Sequence, residues 1–168
     1  HFDDDDYYAD DYIARMAAHA EGVDFVKLAG WFNLSVAARV LTYWDTRTVE
    51  DACYRQSGQG LQAVQLGELD RPQFQRSSML GYGFSYFHRR AVGLKYPFRD
   101  TSFGGDYPVA DAFVRAGGQL RLINDERASV LHRLHERNVS VVFPQYRVPY
   151  FMLNRLFPGY ARYEQLLG

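Results

Sequence analysis

The chain reads as an α/β domain, a sheet flanked by helices. Two observations predict this. Short β-prone runs alternate along the chain with stretches whose apolar residues recur at helical spacing. The composition, 47% hydrophobic and 23% charged over 168 residues, is that of a chain able to bury one core. There is no internal repeat and no Gly/Ser linker, so residues 1–168 are read as a single domain. Aromatic residues reach 16% and include 13 Tyr, which suits either an aromatic-rich core or a wet, amphipathic binding surface. The net charge of -1 argues against a nucleic-acid partner, which would ask for a basic field. The single cysteine, Cys53, excludes a disulfide framework within the chain and a cysteine zinc site.

The elements follow in order. Tyr12 to Glu21 is predicted helical, with Ile13, Met16, Ala17 and Ala20 as its apolar stripe, Asp10 and Asp11 at its start and Gly22 as its stop. Val23 to Leu28, Trp31 to Leu34 and Val40 to Trp44 are predicted as strands with turns between them. Residues Thr46 to Gln75 give no clear period, and Gln56 to Gly60 is expected to be a loop. Tyr82 to His88 is expected to be a strand. Tyr96 through Tyr107, rich in Gly and Pro, is expected to be a loop. Pro108 suits the first position of a helix with Val109, Ala112, Phe113 and Ala116 on one face, ended by Gly117-Gly118. Leu120 to Ile123 and Ser129 to Leu134 are strand candidates, and Pro149 to Leu167 is a helical stretch broken at Pro158-Gly159. No run of about 18 apolar residues occurs, so no membrane-spanning helix is expected.

The one strong local bias is Asp3-Asp4-Asp5-Asp6. Such a run is commonly a solvated face. It is flanked here by Phe2 and Tyr7-Tyr8 rather than by more charge. Carboxylates packed so closely repel, and a hard divalent cation such as Mg²⁺ or Mn²⁺ would relieve them.

Phe2-Asp3-Asp4-Asp5-Asp6-Tyr7-Tyr8-Ala9 resembles the Asp-X-Asp motif of family 2 glycosyltransferases, which follows a strand and reads hydrophobic-Asp-X-Asp-Asp. The match makes Asp3 and Asp5 the Asp-X-Asp pair and Asp6 the third acid; Asp10 stands where the family often has Pro. Two further landmarks follow in family order. Ser102-Phe103-Gly104-Gly105-Asp106-Tyr107 resembles the Gly-Glu-Asp segment that opens a helix and carries the base of inverting members, with Gly105 in place of the usual Glu. The resemblance casts Asp106 as the general base; read alone, Asp106 equally caps the helix at Pro108. His132-Arg133-Leu134-His135-Glu136-Arg137-Asn138-Val139-Ser140 resembles the late His-x-x-Asn-(Ser/Thr) stretch. It offers His135 to the metal, with His132 in reserve, and Asn138 to the substrate or the loop; one outward strand face is the plain alternative. Between these, Leu80 to Arg90 resembles the small-residue segment that passes close to the donor sugar, with Gly83 as the close approach; a turn explains it as well. Trp31 and Trp44 are expected in the core rather than on sugar faces.

The resemblance implies a GT-A-like mixed sheet flanked by helices, lacking the N-terminal nucleotide-binding strands, since the family's motif normally follows about a hundred residues of nucleotide-binding fold. The chain is therefore expected to be a metal- and acceptor-binding half whose parallel sheet begins at an exposed edge. The implied activity is inverting transfer of a sugar from a nucleotide-sugar donor to a hydroxyl on a carbohydrate, lipid-linked or protein-linked acceptor. It would use Mn²⁺ or Mg²⁺ on Asp5, Asp3 and His135, with Asp3, Asp4, Gly83 and Asn138 on substrate. The expected location is the cytoplasm, with peripheral membrane association as one option. A non-catalytic binding module is the alternative, and an acidic calcium-binding domain ranks last because the spacing is not that of an EF-hand loop.

Overall fold

The computed structural model describes residues 1–48, 50, 52–57, 60–98, 104–138 and 141–167; residues 52, 53, 141 and 167 are described by their backbone only. The chain is mixed α/β, with a mixed seven-stranded sheet flanked by helices and a separate three-stranded sheet.

The sheet is built around β2 (Phe25–Ser35), an 11-residue strand. The two strands expected at Val23 to Leu28 and Trp31 to Leu34 are this single strand, which continues through Ala29-Gly30 with a shift of register against its parallel neighbour between Leu28 and Gly30. Gly30 serves packing rather than a turn. A Cβ there would meet the Tyr43 hydroxyl and lie 2.9 Å from Asn124 Oδ1. Gly30→Ala is therefore expected to destabilise the fold by about 1–3 kcal/mol, as overpacked core positions do, measurable by urea denaturation. An unchanged midpoint would show that the neighbouring side chains give way freely.

Along β2 lie β3 (Val40–Asp45), antiparallel, and two parallel strands, β7 (Leu120–Asn124) beside its first half and β8 (Val130–Leu134) beside its second. The loop between β7 and β8 is tied down by buried Asp125. Its carboxylate accepts from the Ser129 amide and hydroxyl and from the Val130 amide, and its own amide donates to Gly30 O at 2.8 Å. The short β1 (Tyr7–Tyr8) adds to β8, β6 (Phe87–His88) to β2 and β10 (Tyr146–Val148) to β3, all antiparallel. The expectation of a parallel sheet opening on a bare edge is thus corrected: the sheet is mixed, and its edge strand β1 is antiparallel to β8. The acidic run precedes β1 and turns at Asp4-Asp5.

Both faces of the sheet are covered. On one face Trp31, Trp44, Val130 and Phe84 pack with Tyr12 and Met16 of α1 (Tyr12–His19). Burial corrects the stripe expected for α1. Tyr12 and Met16 face the core and Ile13 faces solvent, because the aromatic ring displaces the β-branched residue from the buried side. On the other face Phe32, Leu34, Leu41 and Leu131 pack against Leu153 of α5 (Leu153–Leu156), Phe157 just after it and Tyr160 of α6 (Tyr160–Leu167). Pro158-Gly159 separates these two helices, as expected. Both tryptophans lie in the core.

Residues Thr46 to Gln75 hold more order than their pattern suggested. A hairpin of β4 (Ala52–Ser57) and β5 (Gly60–Gln65) is joined by β9 (Val141–Val142), and α2 (Arg71–Leu80) begins within this span. Gln56, Ser57 and Gly60 belong to the hairpin strands rather than to a loop; Gly58 and Gln59 lie outside the described residues. The strand expected at Tyr82 to His88 is mostly a 3-10 turn, Gly83–Ser85, with only Phe87–His88 paired. A further helix, α3 (Arg90–Lys95), follows. The loop before α4 (Tyr107–Arg115) ends one residue earlier than expected, at Asp106; its residues 99–103 are outside the described set. The buried face of α4 is Val109, Ala110 and Phe113, with Ala112 and Ala116 exposed. Among the described residues no helix is long and apolar enough to cross a membrane.

One buried residue is out of place in this core. Lys27 on β2 is fully buried, and its Nζ donates to Leu28 O at 2.7 Å. Burial lowers its pKa to about 7, with the Asp106 carboxylate opposing the shift. A lysine that binds its proton less tightly when folded destabilises the native state below its unfolded value. Stability should therefore climb as pH rises above the folded value, because the unfolded chain then holds more protons. Urea denaturation is expected to show a gain of about 2 kcal/mol between pH 7 and pH 9, a gain absent in Lys27→Met. A flat profile in the unaltered protein would contradict this.

Candidate functional site

The acidic run is fixed by both ends of the chain. Antiparallel pairing of β1 with β8, Tyr7 opposite Leu131, sets Asp6 beside His132 and Arg133. Asp6 is buried; its carboxylate accepts from the Arg133 amide at 2.9 Å and lies 2.8 Å from His132 Nδ1. Burial pushes the Asp6 carboxyl up, while His132 and the Arg133 amide oppose it. Burial pushes the His132 imidazolium down, but the Asp6 carboxylate outweighs it and raises the net value. The His132 ring stacks on Phe84 at 4.8 Å, and its buried Nε2 has no hydrogen-bond partner. His132 is thus anchored by Asp6.

Asp5 lies at the rim. Its Oδ2 is 3.1 Å from His135 Nε2 and 3.3 Å from Asn138 Nδ2. His135 and Asn138 belong to one turn after β8, in which Asn138 Oδ1 accepts from the His135 amide and the Asn138 amide donates to His135 O. Val139 and Ser140 of the same landmark are outside the described residues. Arg133 stiffens the run from behind. Its Nη1 donates to Asp5 O at 3.0 Å and its Nε to the Tyr160 hydroxyl at 3.2 Å. Tyr163 of α6 donates to Asp4 O at 3.3 Å. The Asp4 side chain is exposed. Asp3 takes His1 Nε2 at 3.1 Å, and the Asp3 amide donates to Tyr8, whose hydroxyl donates to Phe84 O at 2.9 Å. Burial raises the Tyr8 phenol well beyond the ordinary range, so it stays a donor.

The 82–86 turn joins the acidic run to Asp106. Asp106 is the N-cap of α4, as its helix-capping reading expects: Oδ1 accepts from the Tyr107 amide at 2.9 Å and Oδ2 from the Gly83 amide at 2.6 Å. The Tyr86 hydroxyl donates to Asp106 O at 3.0 Å. A Cβ on Gly83 would lie 2.9 Å from Asp106 Cβ, so the close approach that Gly83 permits is that of Asp106. Gly81, Gly83 and Ser85 are buried in this turn. Ser102 and Phe103, the start of the second landmark, are outside the described residues.

One carboxylate oxygen each from Asp3, Asp5 and Asp6 lie within 4.8 Å of one another. The donor chemistry fits a hard divalent cation. Asp3 and Asp5 keep lone pairs facing outward, His135 can add a nitrogen, and Asp6 is largely spent on His132 and Arg133. His135→Ala is expected to weaken Mn²⁺ binding by about tenfold or more, while costing under about 1 kcal/mol of stability because its pair with Asp5 is half-exposed. Unchanged Mn²⁺ affinity would remove His135 from the ligand set.

The sequence reading makes Asp6 the third acid and His132 a reserve ligand, but not partners of each other, and it does not single out Lys27. Asp6 and His132 pair across 126 positions, and no local spacing reveals such a pair. Lys27 did leave a trace, as the one charge among Phe25, Val26, Leu28 and Ala29 in a strand otherwise apolar at that end. No protein-family model matches the chain, and neither a search of curated proteins nor a search of solved structures gives a match.

Proposed function

We propose that this chain is a GT-A-like glycosyltransferase domain that moves a sugar from a nucleotide-sugar donor to an acceptor hydroxyl with inversion, dependent on Mn²⁺ or Mg²⁺. The observation that carries the reading is convergence. Four segments matched to one family are distant in sequence yet touch one another: Gly83 gives its amide to Asp106, Phe84 of the same turn stacks on His132, and Asp5 lies beside His135.

In this reading Asp3, Asp5 and His135 hold the cation. A cation held there would supply charge to offset that on the departing diphosphate. Asp3 and Asp4 face the donor, and Asn138 holds Asp5 and the turn in place. Asp106 accepts the proton of the acceptor hydroxyl while the acceptor oxygen bonds to the anomeric carbon and the carbon–oxygen bond to the diphosphate breaks. Its two anchoring amides fix the carboxylate's direction and leave lone pairs for the proton. The net charge of -1 speaks against a nucleic acid as the charged partner.

The second reading is a non-catalytic binding module of the same fold. Gly105 in place of the usual Glu favours it, as does the engagement of both Asp106 oxygens by backbone amides. Product formation separates the two. The chain is incubated with Mn²⁺ and a panel of nucleotide sugars and acceptors, and release of nucleoside diphosphate is followed. Acceptor-dependent release supports transfer; donor binding without release supports the module.

A further inference from the structure

One hydroxyl group joins the acidic run to the turn that holds Asp106. Tyr8 ends β1, where its backbone pairs with Val130 of β8. Its ring packs edge-on to Phe2 at 4.7 Å and against Tyr12 at 5.0 Å. Its hydroxyl accepts from the Asp3 amide at 3.0 Å and donates to Phe84 O at 2.9 Å. The residue before Phe84 is Gly83, whose amide donates to Asp106 Oδ2 at 2.6 Å. A continuous path of three hydrogen bonds therefore runs from the Asp3 backbone to the Asp106 carboxylate, interrupted only by the backbone of Gly83-Phe84.

That stretch of backbone is itself tied down. Tyr82 before it holds a left-handed φ of 64°. The Tyr86 amide donates to Gly83 O at 2.9 Å, and the Tyr86 hydroxyl donates to Asp106 O at 3.0 Å. Gly83, Phe84 and Ser85 are buried. A turn closed in this way passes a displacement of Phe84 O on to the Gly83 amide. A second joint exists at the same residue, since His132 stacks on the Phe84 ring at 4.8 Å. That joint leads to Asp6, whereas the Tyr8 hydroxyl leads to Asp3.

We propose that Tyr8 is a positioning residue whose hydroxyl sets the span between the cation-side carboxylate Asp3 and the acceptor-side carboxylate Asp106. The proposal rests on the glycosyltransfer reading of those two residues. Transfer asks the departing diphosphate and the attacking hydroxyl to be placed together on one anomeric carbon, and rate is steeply sensitive to such placement. The phenol is well suited to the task. Burial keeps it protonated, so it can accept from one backbone and donate to the other at once.

Tyr8→Phe removes the hydroxyl and keeps the ring. Exchange of backbone amide hydrogens with solvent, followed by NMR, needs no substrate. The Gly83 amide is expected to exchange about tenfold faster or more in the variant, while amides of the central strand β2 keep their rates. An unchanged Gly83 rate overturns the proposal. So does a rise shared evenly by the whole chain, which is what a merely structural hydroxyl would give. In the kinetic arm, kcat for transfer should fall about tenfold or more, with donor KM and Mn²⁺ affinity changed less than about threefold because no ligand atom is lost. Undiminished kcat in a folded Tyr8→Phe protein also overturns it. If the unaltered chain transfers no sugar, the glycosyltransfer reading fails, and the Gly83 exchange still decides whether the hydroxyl holds the turn that seats Asp106.

Discussion

Asp106→Asn is expected to reduce sugar transfer by about 10²–10⁴-fold while the protein stays folded and still binds its donor. The two halves of this expectation have separate causes. As N-cap, Asp106 accepts from the Tyr107 amide, and asparagine is among the best residues at that position. Its side-chain oxygen can keep one of the two amide contacts, so α4 and the 82–86 turn should hold. What asparagine cannot do is take a proton from an attacking hydroxyl. Nucleoside diphosphate release, donor binding by calorimetry and a thermal melt, measured on the same preparation, separate the three effects. Retained transfer in the variant would remove Asp106 from the role of base and leave it a helix cap.

His132→Ala is expected to have the largest effect on stability, about 3–5 kcal/mol, because it strands the Asp6 carboxylate inside the protein. Asp6 sits on the Arg133 amide with His132 as its charged partner, and both side chains are almost wholly out of solvent. The loss extends to packing, since the imidazole stacks flat on Phe84. The pH dependence follows from the raised His132 value. A group that binds its proton more tightly when folded contributes fully below its unfolded value, about 6.5, and loses that contribution as pH rises through the folded value. Urea denaturation at several pH values should show the gap between the unaltered protein and His132→Ala closing on the alkaline side. A loss below about 1 kcal/mol near neutral pH would mean that the pair is not an ion pair. The contrast with His135→Ala, which should alter ion binding and not stability, distinguishes the two histidines by what each one touches.

Much of the architecture was legible in the sequence, and the misses have physical causes. Helix α1, strands β3, β7 and β8 and the break at Pro158-Gly159 followed from apolar spacing and punctuation, because each is an element with one clear apolar side. Gly30 misled because its meaning is set by Tyr43 and Asn124, which only the folded sheet brings to it. The β4–β5 hairpin was illegible because Tyr54 and Leu61 are exposed, which leaves little alternation between faces to read. In the site, the resemblance named the acidic run, Asp106 and His135; Asp106 accepts from the Gly83 amide, and His135 lies beside Asp5. The resemblance named Asp6 only as the third acid and did not give it a buried role, which burial against β8 and the pair with His132 assign. Lys27 could have been noticed as a charge among apolar neighbours, but that its amine is wholly buried depends on the packing of β2 inside the sheet.

The pairing of β1 with β8 has a consequence for how the site comes into being. The residues that seat the acidic run, His132, Arg133 and Tyr163, stand more than a hundred positions after it. Closing so long a loop costs entropy before the contacts that reward it form. The four aspartates therefore remain unseated until the distal strand β8 and helix α6 have docked. An ion site at this run would be completed only by that docking, and a metal-sensitive probe near Asp5 would report it.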